Sequence, residues 1–320
     1  MIDVINLALP FFGLIFLGYA CGRFTRIPDL GLAWMNFFIV YVALPALFYR
    51  ILAATPLDKL SQVGFIVGTT LSTFVIFALS LAIGFVMRRG NLSEATMAAL
   101  AGAHGNVGYM GPGLALSTLG HEAAAPVALI FCFEIILMFS LVPFLMALAG
   151  TERKDFHETA RHVVKEIATH PFIIATALGV ASAAVHFEPP VALDRLMTFL
   201  QNAAAPCALF TLGVTVALRP IAKLSWEVPM LSVMKLVVHP ALVLTILSAL
   251  GPFADTWVYT AVLMAALPPA LNVFIIARQY NTWVEQASGA VLLGTLVSVV
   301  TLTAVMLMVK NKVIPVMLFH

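Results

Sequence analysis

Charge is scarce in this chain. Asp, Glu, Lys and Arg make up 10% of its 320 residues, against about 25% in a soluble globular protein. That shortage excludes a surface solvated by water all round. Cysteine is scarce too: only Cys21, Cys132 and Cys207 occur, all in apolar stretches, with no paired spacing that would build a disulfide or a zinc site. The N-terminus lacks a basic leader, Asp3 being its only charge before Arg23. A cleaved signal peptide is therefore not expected, and the first apolar stretch should stay in the mature protein. Gly108-Tyr-Met-Gly-Pro-Gly113 lacks the Gly-Lys-Ser/Thr ending of a phosphate loop, which argues against ATP as a drive. Rhomboid-like Gly-x-Ser-Gly and presenilin-like Gly-x-Gly-Asp are missing, against an intramembrane enzyme. No polar stripe runs along an apolar stretch as a channel would need, and no signalling domain is appended as in many receptors. The net charge of +2 says little about partners. No cofactor, metal or nucleic acid is expected.

What is present is apolar surface. Hydrophobic residues make up 62% of the chain and mean hydropathy is +1.02, more than a soluble core of this length requires. The lipid bilayer is the expected environment, and the fold class is an all-α membrane protein. Ten stretches approach the roughly 20 residues needed to span: 3–22, 31–50, 61–87, 95–120, 123–149, 169–187, 193–218, 227–250, 255–278 and 284–309. Only Glu134 and Lys235 put a charge well inside them. With the N-terminus outside, the inner loops hold eleven basic residues: Arg23, Arg26, Arg88, Arg89, Arg153, Lys154, Arg161, Lys165, Arg219, Lys223 and Arg278. The outer side holds five, namely Arg50, Lys59, Arg195, Lys310 and Lys312. Both termini are therefore expected outside. The loop 151–168 carries most of the linker charge. Phe156, Val163, Val164 and Ile167 fall near one helical face there, which predicts a short interfacial helix on the inner surface. His157 and His162 are five apart, not the four of a zinc-peptidase helix.

Two stretches should not stay helical. Gly102, Gly105, Gly108, Gly111, Pro112 and Gly113 crowd the fourth, where each Gly costs about 1 kcal/mol and Pro about 3 relative to Ala. Pro268-Pro269-Ala270-Leu271-Asn272-Val273 interrupts the ninth, and each Pro removes a helical donor. Freed backbone groups cannot face hydrocarbon, so such breaks belong inside protein or beside a wet cavity. Ten spans around a charged middle loop divide into halves of five, 1–150 and 169–320, inserted in opposite senses. Pro45-Ala-Leu-Phe48 and Pro206-Cys-Ala-Leu-Phe210 echo one another between the halves, each followed by Pro and Lys (Pro56 and Lys59; Pro220 and Lys223). Interrupted spans at matching places in inverted repeats point to a transporter's binding site.

With Gly105-Asn106-Val107-Gly108 in span four and Pro268-Pro-Ala-Leu-Asn272-Val273 in span nine, the whole chain resembles the auxin-efflux-carrier (PIN-like) family of bacterial permeases, which shares its fold with bile-acid/sodium symporters. The resemblance implies broken helices four and nine crossing at the membrane centre beside the substrate. It implies a scaffold of helices 1, 2, 6 and 7, a transport domain of helices 3–5 and 8–10, elevator-like alternating access and a homodimer in a bacterial inner (plasma) membrane. Members of this style are malonate or malate permeases. The long plant-type cytosolic loop is absent here, so regulation of that kind does not carry over.

Asn106 and Asn272 are the first site candidates, since each amide offers two donors and an acceptor to a carboxylate or to a broken helix. The plain alternative is interhelical hydrogen bonding worth about 1 kcal/mol. Gly105, Gly108, Pro268 and Pro269 would shape the backbone there. Simple packing of small residues is the alternative, and it suffices for Gly102 and Gly113. Lys235 and His239, four apart, share a helical face. A lysine at mid-membrane costs about 2.5–3.5 kcal/mol. Lys235 therefore either attracts an anionic substrate, directly or through a neighbour, or pairs structurally with Glu134. A pair of that kind could be opened by a proton or substrate, which makes Glu134 and His239 candidate coupling residues. His104 either exchanges a proton or is a hydrogen-bonded core residue; Tyr109 either donates to a solute or packs. Arg278 either reaches the headgroups or gates.

Half-helix N-termini, amides and Lys235 suit an anion better than a cation or sugar. The leading reading is a secondary transporter of a small organic anion, a mono- or dicarboxylate such as malonate or malate. Symport with protons or sodium is the open question, and the lack of an acidic residue at the crossing favours protons or plain facilitation. An anion channel or facilitator is the alternative class.

Overall fold

The computed structural model describes residues 2–25, 29–150, 156–218 and 225–318. Of the basic residues assigned to inner loops, Arg26, Arg153, Lys154, Arg219 and Lys223 lie outside that set, as does Pro220, and so do the side chains of Lys59, Phe156, His157, His162 and Val163. Among the described residues the fold is all helical, without a strand. Six helices among the described residues are long and apolar enough to cross a bilayer: Gly31–Ala53, Val63–Met87, His121–Leu148, Val191–Ala217, Glu227–Leu250 and Val284–Lys310. Two expected spans are shorter apolar helices, Leu9–Thr25 and Pro171–Ala184. The remaining two, 95–120 and 255–278, are each split into two short helices. In the linker, Phe156–Thr169 is helical, with Val164 and Lys165 exposed.

Contacts group the chain into two units. The first comprises Met1–Val63, Gly108–Cys132 and Ala168–Arg219, and the second Gly64–Val107, Phe133–Ile167 and Pro220–His320. Residues 108–132, which complete the fourth expected span and begin the fifth, thus group with the first unit.

In the first unit, the helices Ile2–Thr25 and Val191–Ala217 approach backbone to backbone. A Cβ at Gly18 would lie 2.1 Å from the Phe210 carbonyl oxygen, and one at Gly213 would lie 2.0 Å from that of Ile15. Lipid gives apolar helices no hydrophobic reason to associate, so close van der Waals contact at small residues has to hold them. Phe48 stacks on Phe131 at 4.4 Å between centroids, and Phe172 meets Phe131 edge-on at 5.0 Å. Gly179 packs against the Tyr49 backbone, Tyr49 hydrogen-bonds Ser182, and Arg50 pairs with Asp194 at 3.1 Å.

The second unit packs Val63–Met87 on Leu92–Ala103 through Gly84, which abuts Ala95 and Ala98, and through Gly102 against Ser80. Two π turns, Ile39–Ala43 in the first unit and Met234–Val238 in the second, each precede a proline by two residues (Pro45, Pro240). A proline has no N–H for the carbonyl four residues back, and the widened turn absorbs the mismatch. Lys235 therefore sits on an irregular turn that its own sequence imposes.

Glu134 and Lys235 are not the only charges buried within the long apolar helices. Glu227, first residue of Glu227–Leu250, is 2% exposed. Its carboxylate accepts hydrogen bonds from Arg88, from Trp283 Nε1 at 2.8 Å and from Ser225 at 3.0 Å. Arg88 also reaches Glu94 at 3.2 Å. The hydrogen bond to Glu227 raises the Arg88 pKa above its ordinary value. Glu227 stands at a helix edge, where position in the sequence gives no sign of burial.

Gly213→Leu should lower the melting temperature of the detergent-solubilised protein, since overpacking of this kind costs about 1–3 kcal/mol. Gly13→Leu, where an added Cβ meets nothing within 4 Å, should leave melting unchanged.

Candidate functional site

The fourth expected span starts as a well-capped helix. The Asn91 side chain accepts the Glu94 N–H at 3.2 Å, and Leu92–Ala103 follows. His104 turns extended (φ −79°, ψ 110°) while its N–H still reaches the Leu100 carbonyl. Helix resumes at Gly111–Leu119 with Pro112 in its first turn. The ninth runs as Asp255–Ala265, breaks, and resumes as Leu271–Gln279 behind an extended Ala270. Pro268 and Pro269 have no N–H to offer the carbonyls of Met264 and Ala265.

The two interruptions are tied to each other within the second unit. Gly105 and Pro269 face one another in an antiparallel β-bridge. The Asn106 N–H donates to the Pro268 carbonyl at 2.8 Å, and the Ala270 N–H donates to the His104 carbonyl at 3.1 Å. The facing pair exchanges no hydrogen bond itself, the wide position of an antiparallel ladder, so Pro269 loses nothing by lacking an N–H. Gly294 clears space behind it: a Cβ there would lie 2.4 Å from the Pro269 ring.

Side chains take two further backbone groups. Glu134 Oε1 accepts the Gly105 N–H at 3.1 Å and the His104 Nδ1 proton at 2.8 Å. Lys235 Nζ donates to the Ala265 carbonyl at 2.5 Å and lies 3.2 Å from His239 Nδ1. His239 Nε2 is 3.4 Å from Thr73 Oγ1, whose own proton goes to the Thr69 carbonyl. That chain places the His239 proton on Nε2 and leaves Nδ1 to accept from the ammonium. His104, Asn106, Glu134, Lys235 and His239 are all buried. Lys235 and Glu134 are not joined directly. The carboxylate serves His104 and Gly105, the ammonium serves Ala265 and His239, and Glu134 stays within electrostatic reach of Lys235.

The structure thus brings together His104, Gly105, Asn106, Glu134, Lys235, His239, Pro268 and Pro269. Asn272, half-buried, is the second residue of the helix Leu271–Gln279 in the same unit. Gly108 and Tyr109 belong to the first unit. There Gly108 packs on Phe131 and Tyr109 is buried. Gly113 meets Ala205 and Phe11 in that unit, and Arg278 is exposed. Sequence reading missed Thr73 and the Ala265 carbonyl. The first looks like any helix threonine. The second was foreseeable from Pro269 four residues on.

These features define a multi-pass helical membrane protein with two interrupted segments laced together by backbone. A family profile described as "Membrane transport protein" matches residues 3–306. The chain is 48% identical over 319 residues, the full length of both, to a Rhizobium meliloti (strain 1021) protein named "Putative malonate transporter". It is 31% identical over 158 residues to "Auxin efflux carrier component 5" of Arabidopsis thaliana, covering 47% of this chain and 44% of that one. With "Auxin efflux carrier component 1" of the same plant it shares 28% over 142 residues, 42% of this chain and 23% of the other. The chain belongs to this membrane transport family, which includes the auxin-efflux-carrier-like proteins.

Glu134→Ala should destabilise the fold by about 1–3 kcal/mol, the cost of stranding a buried donor, read as a lower melting temperature. Glu134→Gln retains an oxygen for the Gly105 N–H and should cost less.

Proposed function

We propose that this transporter carries a small organic anion, a mono- or dicarboxylate of the malonate or malate type, as a secondary transporter. The observation that carries the reading is the bridged double break with an asparagine on each interrupted segment. Asn106 donates its backbone N–H across the bridge, which fixes where its side chain starts. Asn272 lies in the first turn of a half-helix, where backbone N–H groups and the helix dipole favour negative charge. Lys235, buried behind the bridge, adds positive charge through the backbone it holds. Full-length similarity to the relative named for malonate supports a carboxylate over a sugar or cation.

The architecture we infer is ten spans in two inverted five-helix repeats, with the N- and C-termini outside a bacterial inner membrane. Six long helices, two shorter apolar ones and two split segments support that count. The separate grouping of 64–107 and 220–320 from 1–63 and 168–219 supports a scaffold and a transport domain, although 108–132 group with the scaffold segments; an elevator-like cycle and a homodimer held by the scaffold complete the reading. Glu134 and His239 are the coupling residues in this reading, Glu134 because its carboxylate holds the Gly105 N–H and His239 because it lies beside the Lys235 ammonium.

Uptake of labelled malonate or malate into proteoliposomes under an imposed pH gradient tests the assignment. Asn106→Ala and Asn272→Ala should each lower uptake about tenfold or more, the effect of losing a hydrogen bond to a charged group worth ~1.5–3 kcal/mol. Normal uptake by both variants would show that the substrate sits elsewhere. Saturable flux without single-channel current separates a carrier from a channel.

A further inference from the structure

We propose that Glu227 is a positioning residue for transport: its buried carboxylate clasps the two hairpin turns from which the interrupted segments extend, and so sets how far apart Asn106 and Asn272 stand. The part that concerns substrate rests on the carrier reading above; the part that concerns the clasp does not.

Each interrupted segment extends from a tight turn of the second unit. Arg89 and Gly90, at φ 51° and 85°, reverse the chain between Val63–Met87 and Leu92–Ala103, with the Gly90 N–H on the Phe85 carbonyl at 2.8 Å. Asn281 and Trp283, at φ 48° and 57°, reverse it between Leu271–Gln279 and Val284–Lys310, with the Thr282 N–H on the Ala277 carbonyl at 2.9 Å. A residue as bulky as tryptophan keeps to the left-handed region only where its surroundings fix it. Trp283 is 5% exposed, and its ring lies in the same buried cluster as Ala99, Ala103, Val273 and Phe274. Its indole N–H donates to Glu227 Oε1 at 2.8 Å. From the other turn, Arg88 grips both oxygens of that carboxylate and reaches Glu94, in the first turn of Leu92–Ala103, at 3.2 Å. Neutralising Arg88 would need no more than Glu94 on the same hairpin. Glu227 adds what Glu94 does not, a link through Trp283 to the second turn. At the rise of an α-helix, Leu92–Ala103 is a rod about 18 Å long and Leu271–Gln279 one about 14 Å long. Their far ends adjoin His104 and Ala270. A shift at the turns therefore arrives at the bridge, where the Asn106 N–H meets the Pro268 carbonyl and the Ala270 N–H meets that of His104.

The test uses the full chain, in detergent and in proteoliposomes. Trp283→Phe keeps an aromatic ring and deletes the indole donor. In hydrogen-exchange mass spectrometry it should speed amide exchange in peptides covering 104–106 and 268–270 about tenfold, with peptides from 2–25 and 191–217 unchanged. Arg88→Lys, which keeps the charge and loses the fork, should act in the same direction to a smaller degree. It also keeps the comparison usable where Trp283→Phe folds poorly. In malonate or malate uptake both variants should raise KM at least roughly threefold and leave Vmax within about twofold, since the geometry of binding changes and the moving steps do not. Faster exchange confined to 88–94 and 280–284 would overturn the proposal, because the clasp would then stabilise its own turns and nothing beyond them. So would faster exchange at the bridge with KM unchanged. Failure of the wild type to move either carboxylate would sink the substrate assignment instead. The exchange measurement, which needs no substrate, would still decide whether the clasp reaches the bridge.

Discussion

The structure depends on one short piece of backbone pairing. Two interrupted helices in an apolar environment expose main-chain N–H and C=O groups that neither lipid nor their own helices can satisfy. The exchange between residues 104–106 and 268–270 lets each break supply what the other lacks: Asn106 gives its N–H to Pro268, and Ala270 gives its N–H to His104. Glycine and proline occupy the facing position because it asks for no donor and leaves no space. The residues that destroy the helices are thus the ones that suit the bridge.

What the bridge leaves over is neutralised by charge of the appropriate sign. A carboxylate, Glu134, takes the Gly105 N–H, and an ammonium, Lys235, takes the Ala265 carbonyl. Each ion answers a backbone dipole instead of the other ion. Burying both is tolerable because each is hydrogen-bonded at short range and the two remain within electrostatic reach. Two histidines complete the pattern, His104 donating to the carboxylate and His239 accepting from the ammonium. The Arg88, Glu227 and Trp283 cluster is a different device. There a conventional ion pair ties the end of one long helix to the starts of two others, away from the interruptions.

The long helices around this core are held by fit. Gly18 and Gly213 bring two helices of the first unit into backbone contact, Gly84 and Gly102 do the same in the second, and Gly294 receives the Pro269 ring. Prolines 45 and 240 widen their helices into π turns, and the second of these turns carries Lys235. Positioning of the ammonium therefore begins with a proline five residues further along the chain.

Periodicity and composition alone fix a helical membrane protein, and the glycine and proline clusters alone fix where two helices must fail, because helix propensity and missing donors are local properties. Asn106, Glu134 and Lys235 could likewise be singled out in the sequence, since polar and charged groups are rare against an apolar background. Their partners could not. Lys235 read as a candidate mate for Glu134, yet it serves the Ala265 carbonyl, and Glu227 gave no sign of burial at the edge of its helix. Glu134 lies 29 residues from Gly105 and Lys235 lies 30 from Ala265, and the backbone bridge joins segments more than a hundred residues apart. Only the tertiary structure brings them within hydrogen-bond range and selects among partners that are chemically equivalent in the sequence.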